Sequence, residues 1–156
     1  MQLDDRAVFL LSQLGHHVAD RFARALAPLG LNPAHFGVLT HLREADGRSQ
    51  QQLADLLHVH RNAMVGLVDE LEARGLVRRT RHPDDRRAHA LHLTDQAHTL
   101  LRDADLIADE LESAILDPLD PAERSLLLTE LHKLAAHAEL PPGVHPGLHR
   151  RTPRRG

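Results

Sequence analysis

The stretch RRTRHPDDRRAHALHLT, residues 78–94, gathers five arginines and three histidines around a Pro-Asp-Asp centre, in a chain whose formal net charge is −3. LVRRT (76–80) and HALHLT (89–94) have strand character, and the charged octet RHPDDRRA separates them. Two short strand-like runs around a Pro-containing polar tip predict a hairpin with a long charged loop. The rest of the chain reads as helix, so the place of this hairpin among the helices decides the fold.

Upstream, Val8, Leu11, Leu14, Val18, Phe22, Leu26 and Leu29 recur at steps of three and four and predict an amphipathic helix over residues 5–29. GLNP closes it, with Gly30 suited to a helix C-terminus, Asn32 to an N-cap and Pro33 to the first position of the next helix. That second helix runs from about 33 to 44. After the turn DGRS, the spacing of Ser49 and Gln52 matches a capping box for a third helix over 50–57. A break at His58-Val59 separates it from a fourth over 60–74, with Met64, Leu67, Val68 and Leu71 on one face and Gly75 as its stop.

Downstream, Thr94 is placed to cap a fifth helix over 95–116. Asp120, Pro121 and Glu123 supply cap, first position and capping box for a sixth over 121–138. From Pro141 the apolar period gives way to Pro, Gly, His and Arg, and residues 141–156 read as a disordered Arg/Pro-rich tail. Residues 1–140 are thus expected to form one domain.

Composition agrees with a mainly α (α+β) class. The three aromatics, Phe9, Phe22 and Phe36, leave a core of Leu, Ala and Val, which favours helices. With no cysteine, disulfides, thiolate metal sites and thiol redox chemistry are excluded. AVFLL near the N-terminus is too short and wrongly flanked for a signal peptide, so a cytoplasmic protein with no membrane partner is expected. Charge is uneven: residues 48–92 hold eight Arg against six acids, while 94–140 hold three basic residues against eleven acids. The basic residues are 18 Arg and the single Lys133, a bias that suits phosphate recognition and equally suits a GC-rich genome.

Two short helices joined by a tight break and followed by a hairpin make a winged helix-turn-helix. In that arrangement the second helix fits the major groove of DNA and the first braces it. The hairpin can carry arginine to the neighbouring minor groove, where narrowing deepens the negative potential. Residues 78–94 then read as a wing whose charge meets double-stranded DNA.

At this point the chain resembles the MarR family of bacterial transcriptional regulators, over roughly residues 5–138. The matching segments are GLNPAHFGVLTHL (30–42), QQLADLLHV (51–59), LVDELEARGLVRR (67–79) and DDRRAHALHLT (84–94). The last holds the family's wing pattern as Asp85, Arg87, Leu91, Leu93 and Thr94. Family members usually carry Gly shortly after Leu-Thr, where this chain has Ala97. The resemblance implies a DNA-binding winged unit over 30–94 and a homodimer joined through helices 5–29 and 95–138. It also implies a transcriptional regulator, most often a repressor, released from a pseudo-palindromic operator by a small effector.

With the apolar face of the fourth helix turned inward, Arg61, Asn62, Val65 and Gly66 face outward. Arg can pair with guanine, Asn with adenine, and Val can meet a thymine methyl. Ser49, Gln50 and Gln51 open the third helix as phosphate-contact candidates. On the hairpin, Arg86 and Arg87 are candidates for minor-groove insertion. The resemblance makes Arg87 the wing arginine, oriented by an Asp85 salt bridge. Arg78 and Arg79 are expected either to meet phosphates or to hold the wing.

Fourteen histidines raise the question of metal. No helix carries a His pair at i, i+4 and no His-Glu-x-x-His occurs, so neither a preformed site nor a cofactor is expected. His16, His17, His35 and His41 lie near where the resemblance places an effector pocket. With Arg21 or Arg24 they could bind an anionic aromatic compound. Two alternatives stand beside this reading: a metal- or pH-sensing regulator using the histidines, and a winged-helix protein-interaction module that does not bind DNA. No nucleophile–base–orienter set appears, so an enzyme is not expected.

Overall fold

The computed structural model describes residues 2–145. Six α-helices and one hairpin follow the order α1 (Ala7–Leu26), α2 (Pro33–Glu44), α3 (Gln50–Leu56), α4 (Arg61–Ala73), β1 (Val77–Arg81), β2 (His89–Leu93), α5 (Asp95–Leu116) and α6 (Pro121–His137). The architecture is a winged helix-turn-helix carried on long outer helices.

Local chemistry sets the boundaries. Asn32 caps α2 by accepting from His35 N–H, and Pro33 opens it. Ser49 and Gln52 form the reciprocal capping box of α3, Thr94 caps α5, and Asp120 with Glu123 caps α6. The first helix ends at Leu26, three residues short of its periodicity, because Pro28 falls in a 3-10 turn, Ala27–Leu29. Gly30 follows at φ +66°, where a side chain would be strained. Arg74, just beyond α4, donates to the carbonyls of Leu29 and Gly30 at 3.0 and 2.5 Å, pairing acceptors at the end of the 3-10 turn.

The hairpin is antiparallel, with Val77 opposite Leu93 and Arg81 opposite His89. The turn before α3 joins it as a short third edge, since Leu91 N–H donates to Arg48 O and Gly47 N–H to Leu91 O, both at 2.9 Å. Period-two alternation turns Val77, Leu91 and Leu93 into the core. Arg79 shares their face.

The core belongs to the winged unit. Leu39, Leu42, Leu53, Leu57, Met64, Val68, Leu71, Leu76 and Leu91 are fully buried, joined by Leu26 of α1 and by Ala97, Leu101 and Ala104 of α5. Ala97 stands in that core, so its methyl is accommodated where the family pattern has Gly. The outer helices differ sharply. In α6 no residue is buried, and Leu128, Leu131 and Leu134 are exposed, as are Val8, Leu11 and Leu14 of α1.

Of the segment read as a disordered tail, residues 146–156 lie outside the described residues. The reading is corrected for 141–145. Glu139 at φ +54° ends α6, and Val144 N–H donates to Pro141 O at 3.3 Å across a Pro-Gly turn with Gly143 at φ +71°. The chain therefore doubles back, and Val144 packs against the core. Pro and Gly there encode a turn, not only a loss of helix.

Candidate nucleic-acid interface and adjoining cavity

The first turn of α4 presents Arg61 and Asn62 to solvent, with Gly66 exposed and Val65 half-buried one turn on. His60 caps this helix through Nδ1, which accepts from Asn62 N–H at 3.2 Å. A Cβ placed on Gly66 would meet nothing within 4 Å, so nothing within this chain requires the glycine. The inward face is as expected: Met64, Val68 and Leu71 are buried.

Arginines of the wing divide into two kinds. Arg79, on the core-facing side of β1, forms ion pairs with Asp69 and Glu72 of α4 and donates to Gln50 Oε1 of α3 at 3.3 Å. Burial pushes its guanidinium pKa down, and the two carboxylates outweigh that, leaving it above the ordinary value. It is a clamp across three elements and holds the wing, one of the two roles expected of it. The other four, Arg78, Arg81, Arg86 and Arg87, are exposed and form no ion pair among the described residues. Strand alternation makes the difference between Arg78 and Arg79.

At the wing tip, the expected Asp85–Arg87 salt bridge is absent from the described ion pairs. Instead Asp85 Oδ1 accepts the Arg87 backbone N–H at 2.9 Å, and Ala88 N–H donates to Asp85 O at 3.1 Å. This is the short Asp-to-backbone bond that stabilises turns. It orders the tip and leaves the Arg87 guanidinium unpaired. Ser49 is 7% exposed, and its hydroxyl accepts from Gln52 N–H at 3.1 Å. Gln51, exposed, donates to Asp55 at 2.7 Å.

Three pairs that sequence spacing could not reveal tie the elements together. His35, 6% exposed on α2, places Nε2 2.9 Å from Glu70 Oε2 on α4. Asp46, in the turn before α3, takes His92 Nδ1–H at 2.6 Å and Leu93 N–H at 3.1 Å. Partial burial pushes the Asp46 carboxyl up, and bonds from His92 and Leu93 with the nearby Arg78 charge more than reverse this, holding it below the usual carboxylate range. Arg43 of α2 grips Asp105 of α5 at 2.5 and 3.3 Å.

Beside α2 lies a cavity of about 570 Å³, floored by Phe22 and Phe36, whose rings meet edge-on at 5.3 Å. Of the six ligand candidates only His41 lines it. His16, His17, Arg21 and Arg24 are exposed on α1, Arg24 paired with Asp20 at 2.8 Å, and His35 is engaged with Glu70. Among the described residues no group of three His, Asp or Glu is placed to hold a metal, and no helix is long and apolar enough to cross a membrane.

Comparison with known proteins converges on one family. The model of the MarR family matches residues 29–88. A protein of Thauera aromatica assigned to transcriptional regulation of the hcr operon is 35% identical over 118 residues, spanning 73% of this chain and 69% of its own length. The transcriptional repressor CouR bound to a 23-mer DNA duplex superposes with a TM-score of 0.76 at 36% identity, covering 85% of this chain and 94% of that one. CouR from Rhodococcus jostii RHA1 bound to p-coumaroyl-CoA gives 0.74 at 32% identity, with coverages of 88% and 95%.

Proposed function

This chain belongs to the MarR family of DNA-binding transcriptional regulators, and from that premise we propose that it acts in the cytoplasm as a homodimeric repressor. In this reading it holds a pseudo-palindromic operator through α4 and the wing of each protomer and releases it when a small molecule occupies the cavity beside α2. The observation that carries the proposal is the division among the wing arginines. Arg79 ties β1 to α3 and α4, while Arg61, Arg78, Arg86 and Arg87 stand exposed and unpaired on that braced frame. Guanidiniums with no carboxylate partner are available for phosphate and groove contacts without breaking an ion pair, and the braced backbone beneath them leaves mainly side-chain freedom to be lost on binding.

Dimerisation is supported by the apolar faces of α1 and α6. Val8, Leu11, Leu14, Leu128, Leu131 and Leu134 are partly exposed, and completing their burial would gain each a fraction of the roughly 1.5–3 kcal/mol that burying a fully exposed side chain yields. A second copy covering them would set two recognition helices on one side of the duplex, with half-sites about 34 Å apart. An effector that moved α2 would change that spacing. Support for an effector comes from the cavity and from the p-coumaroyl-CoA complex of a structural neighbour.

Fluorescence anisotropy tests the core of this proposal. Duplexes tiling the DNA upstream of the protein's own gene are titrated against a random duplex. At least one should bind a hundredfold more tightly, with two protomers per site. Equal affinity for all duplexes, with folded protein, would overturn sequence-specific operator binding.

A further inference from the structure

We infer that the cavity beside α2 takes an uncharged hydrophobic ligand, enclosed by the strap Pro141–His145 that follows α6. The inference deepens the effector reading above and rests on it for its regulatory meaning, though not for the binding itself.

Charge comes first. Thr40, His41 and His145 are the polar side chains among the described residues that line the cavity; aliphatic and aromatic groups such as Leu14, Val18, Phe22 and Phe36 form most of its wall. Among the described residues no Arg, Lys, Asp or Glu lines it. A carboxylate or sulfonate moved from water into such a wall would lose hydration without meeting a fixed countercharge. The cations nearest in sequence do not help, since Arg21 and Arg24 are exposed on α1 outside this lining. A second, more open cleft behind Val18 and Leu131 does carry Arg124, but Asp109 and Glu112 line it too, and Arg124 Nε donates to Leu119 O at 3.0 Å. The anionic aromatic effector expected from the His/Arg set is therefore not what the lining suits. Its volume of about 570 Å³ lies in the ordinary range for small-molecule sites.

The enclosure comes from the chain's own C-terminal segment. Gly143 and His145 line the cavity, and His41 Nε2–H donates to Gly143 O at 3.1 Å, joining residues 102 apart in sequence. Val144 packs against the core on the same turn. The His41–Gly143 bond and the Val144 contact tie this strap to α2 and to the core. It forms one side of the cavity, whose lining also includes the exposed Leu11, Leu14 and Leu131.

Two fluorophores with the same ring skeleton test the inference on the full chain. 1-N-phenylnaphthylamine is uncharged, and 1-anilinonaphthalene-8-sulfonate adds one sulfonate. The uncharged probe should bind once per chain, at least tenfold more tightly than the sulfonate. Gly15 lines the cavity from α1, and a Cβ there meets nothing within 4 Å, so Gly15→Phe should fold while obstructing the space. It should weaken the uncharged probe at least fivefold. A chain ending at Leu140 should weaken it at least threefold. Equal affinity for the two probes overturns the charge selection. Binding indifferent to Gly15→Phe and to truncation puts the probe elsewhere, and no binding at all means that the second copy fills the space; either result overturns the inference. Operator affinity measured alongside keeps the two readings apart. Probe binding that meets these expectations with operator affinity unchanged sustains the ligand site and defeats its role as effector site.

Discussion

His35 Nε2 of α2 and Glu70 Oε2 of α4 lie 2.9 Å apart, with the imidazole buried and the carboxylate at the surface. A carboxylate only accepts, so Nε2 carries the proton, and Nδ1 is left buried without a partner. The helix that lines the cavity with Phe36 and His41 thus also grips the recognition helix. Glu70→Ala would leave both ring nitrogens unpaired, costing about 1–3 kcal/mol. Chemical denaturation should show that loss, and operator affinity should fall with it. Unchanged stability would mean that the pair does not hold α4.

The contrast between Arg79 and Arg87 gives a second expectation. Arg87→Ala should weaken operator binding by about 1–3 kcal/mol and leave the melting temperature in place, because its guanidinium forms no ion pair or hydrogen bond among the described residues. Arg79→Ala should lower the melting temperature, since it strands Asp69 and Glu72 side by side on α4. Its effect on DNA should track that instability. If Arg87→Ala leaves anisotropy titrations unchanged, the wing tip does not meet DNA.

Base reading should lie in the first turn of α4. Asn62→Ala should relax discrimination at one adenine position, an effect of about 1–3 kcal/mol for a bidentate pair. Affinity for random duplex should hardly move, since amide contacts contribute little to the salt-dependent term. A panel of single-base operator variants that Asn62→Ala weakens uniformly would assign Asn62 to the backbone instead.

Charge placed in the exposed stripe of α6 should separate protomers. Leu131→Glu with Leu134→Glu puts two carboxylates where the proposed second copy would bury them, and an unpaired buried charge is strongly unfavourable. Light scattering should report a monomer with the winged unit still folded, because α6 contributes no buried residue to the core. A dimer of wild-type affinity would place the interface elsewhere.

Asp46 makes a prediction about acid. Its folded-state pKa is held down, so its contribution is complete above the ordinary carboxylate value of about 3.9 and disappears as pH falls through the lower folded value. Asp46→Asn should therefore cost about 1 kcal/mol at neutral pH, a figure reduced for solvent exposure. The gap from wild type should close as acid protonates Asp46 in both states. Denaturation series at pH 7 and pH 3 would show it; a constant gap would locate the effect in packing.

Much of this protein was determined by sequence alone, because the deciding signals are local. Asn32-Pro33, Ser49-x-x-Gln52 and Asp120-Pro121-x-Glu123 set helix starts through bonds three residues long. Strand character around a Pro-Asp-Asp tip placed the hairpin. Strand character placed Arg78 and Arg79 together on β1 and gave them one expectation, without saying which of the two was engaged. That depended on Asp69 and Glu72, carried on a different element. The same holds for Asp85, whose bond to a backbone N–H instead of to the Arg87 guanidinium follows from the turn's geometry. His35 read as an effector-pocket candidate, and only the fold brought up its partner Glu70, 35 residues away. The cavity and its strap were least visible of all. Four helices and a Pro-Gly turn enclose that space together, and no single segment's periodicity records which of its neighbours will be charged.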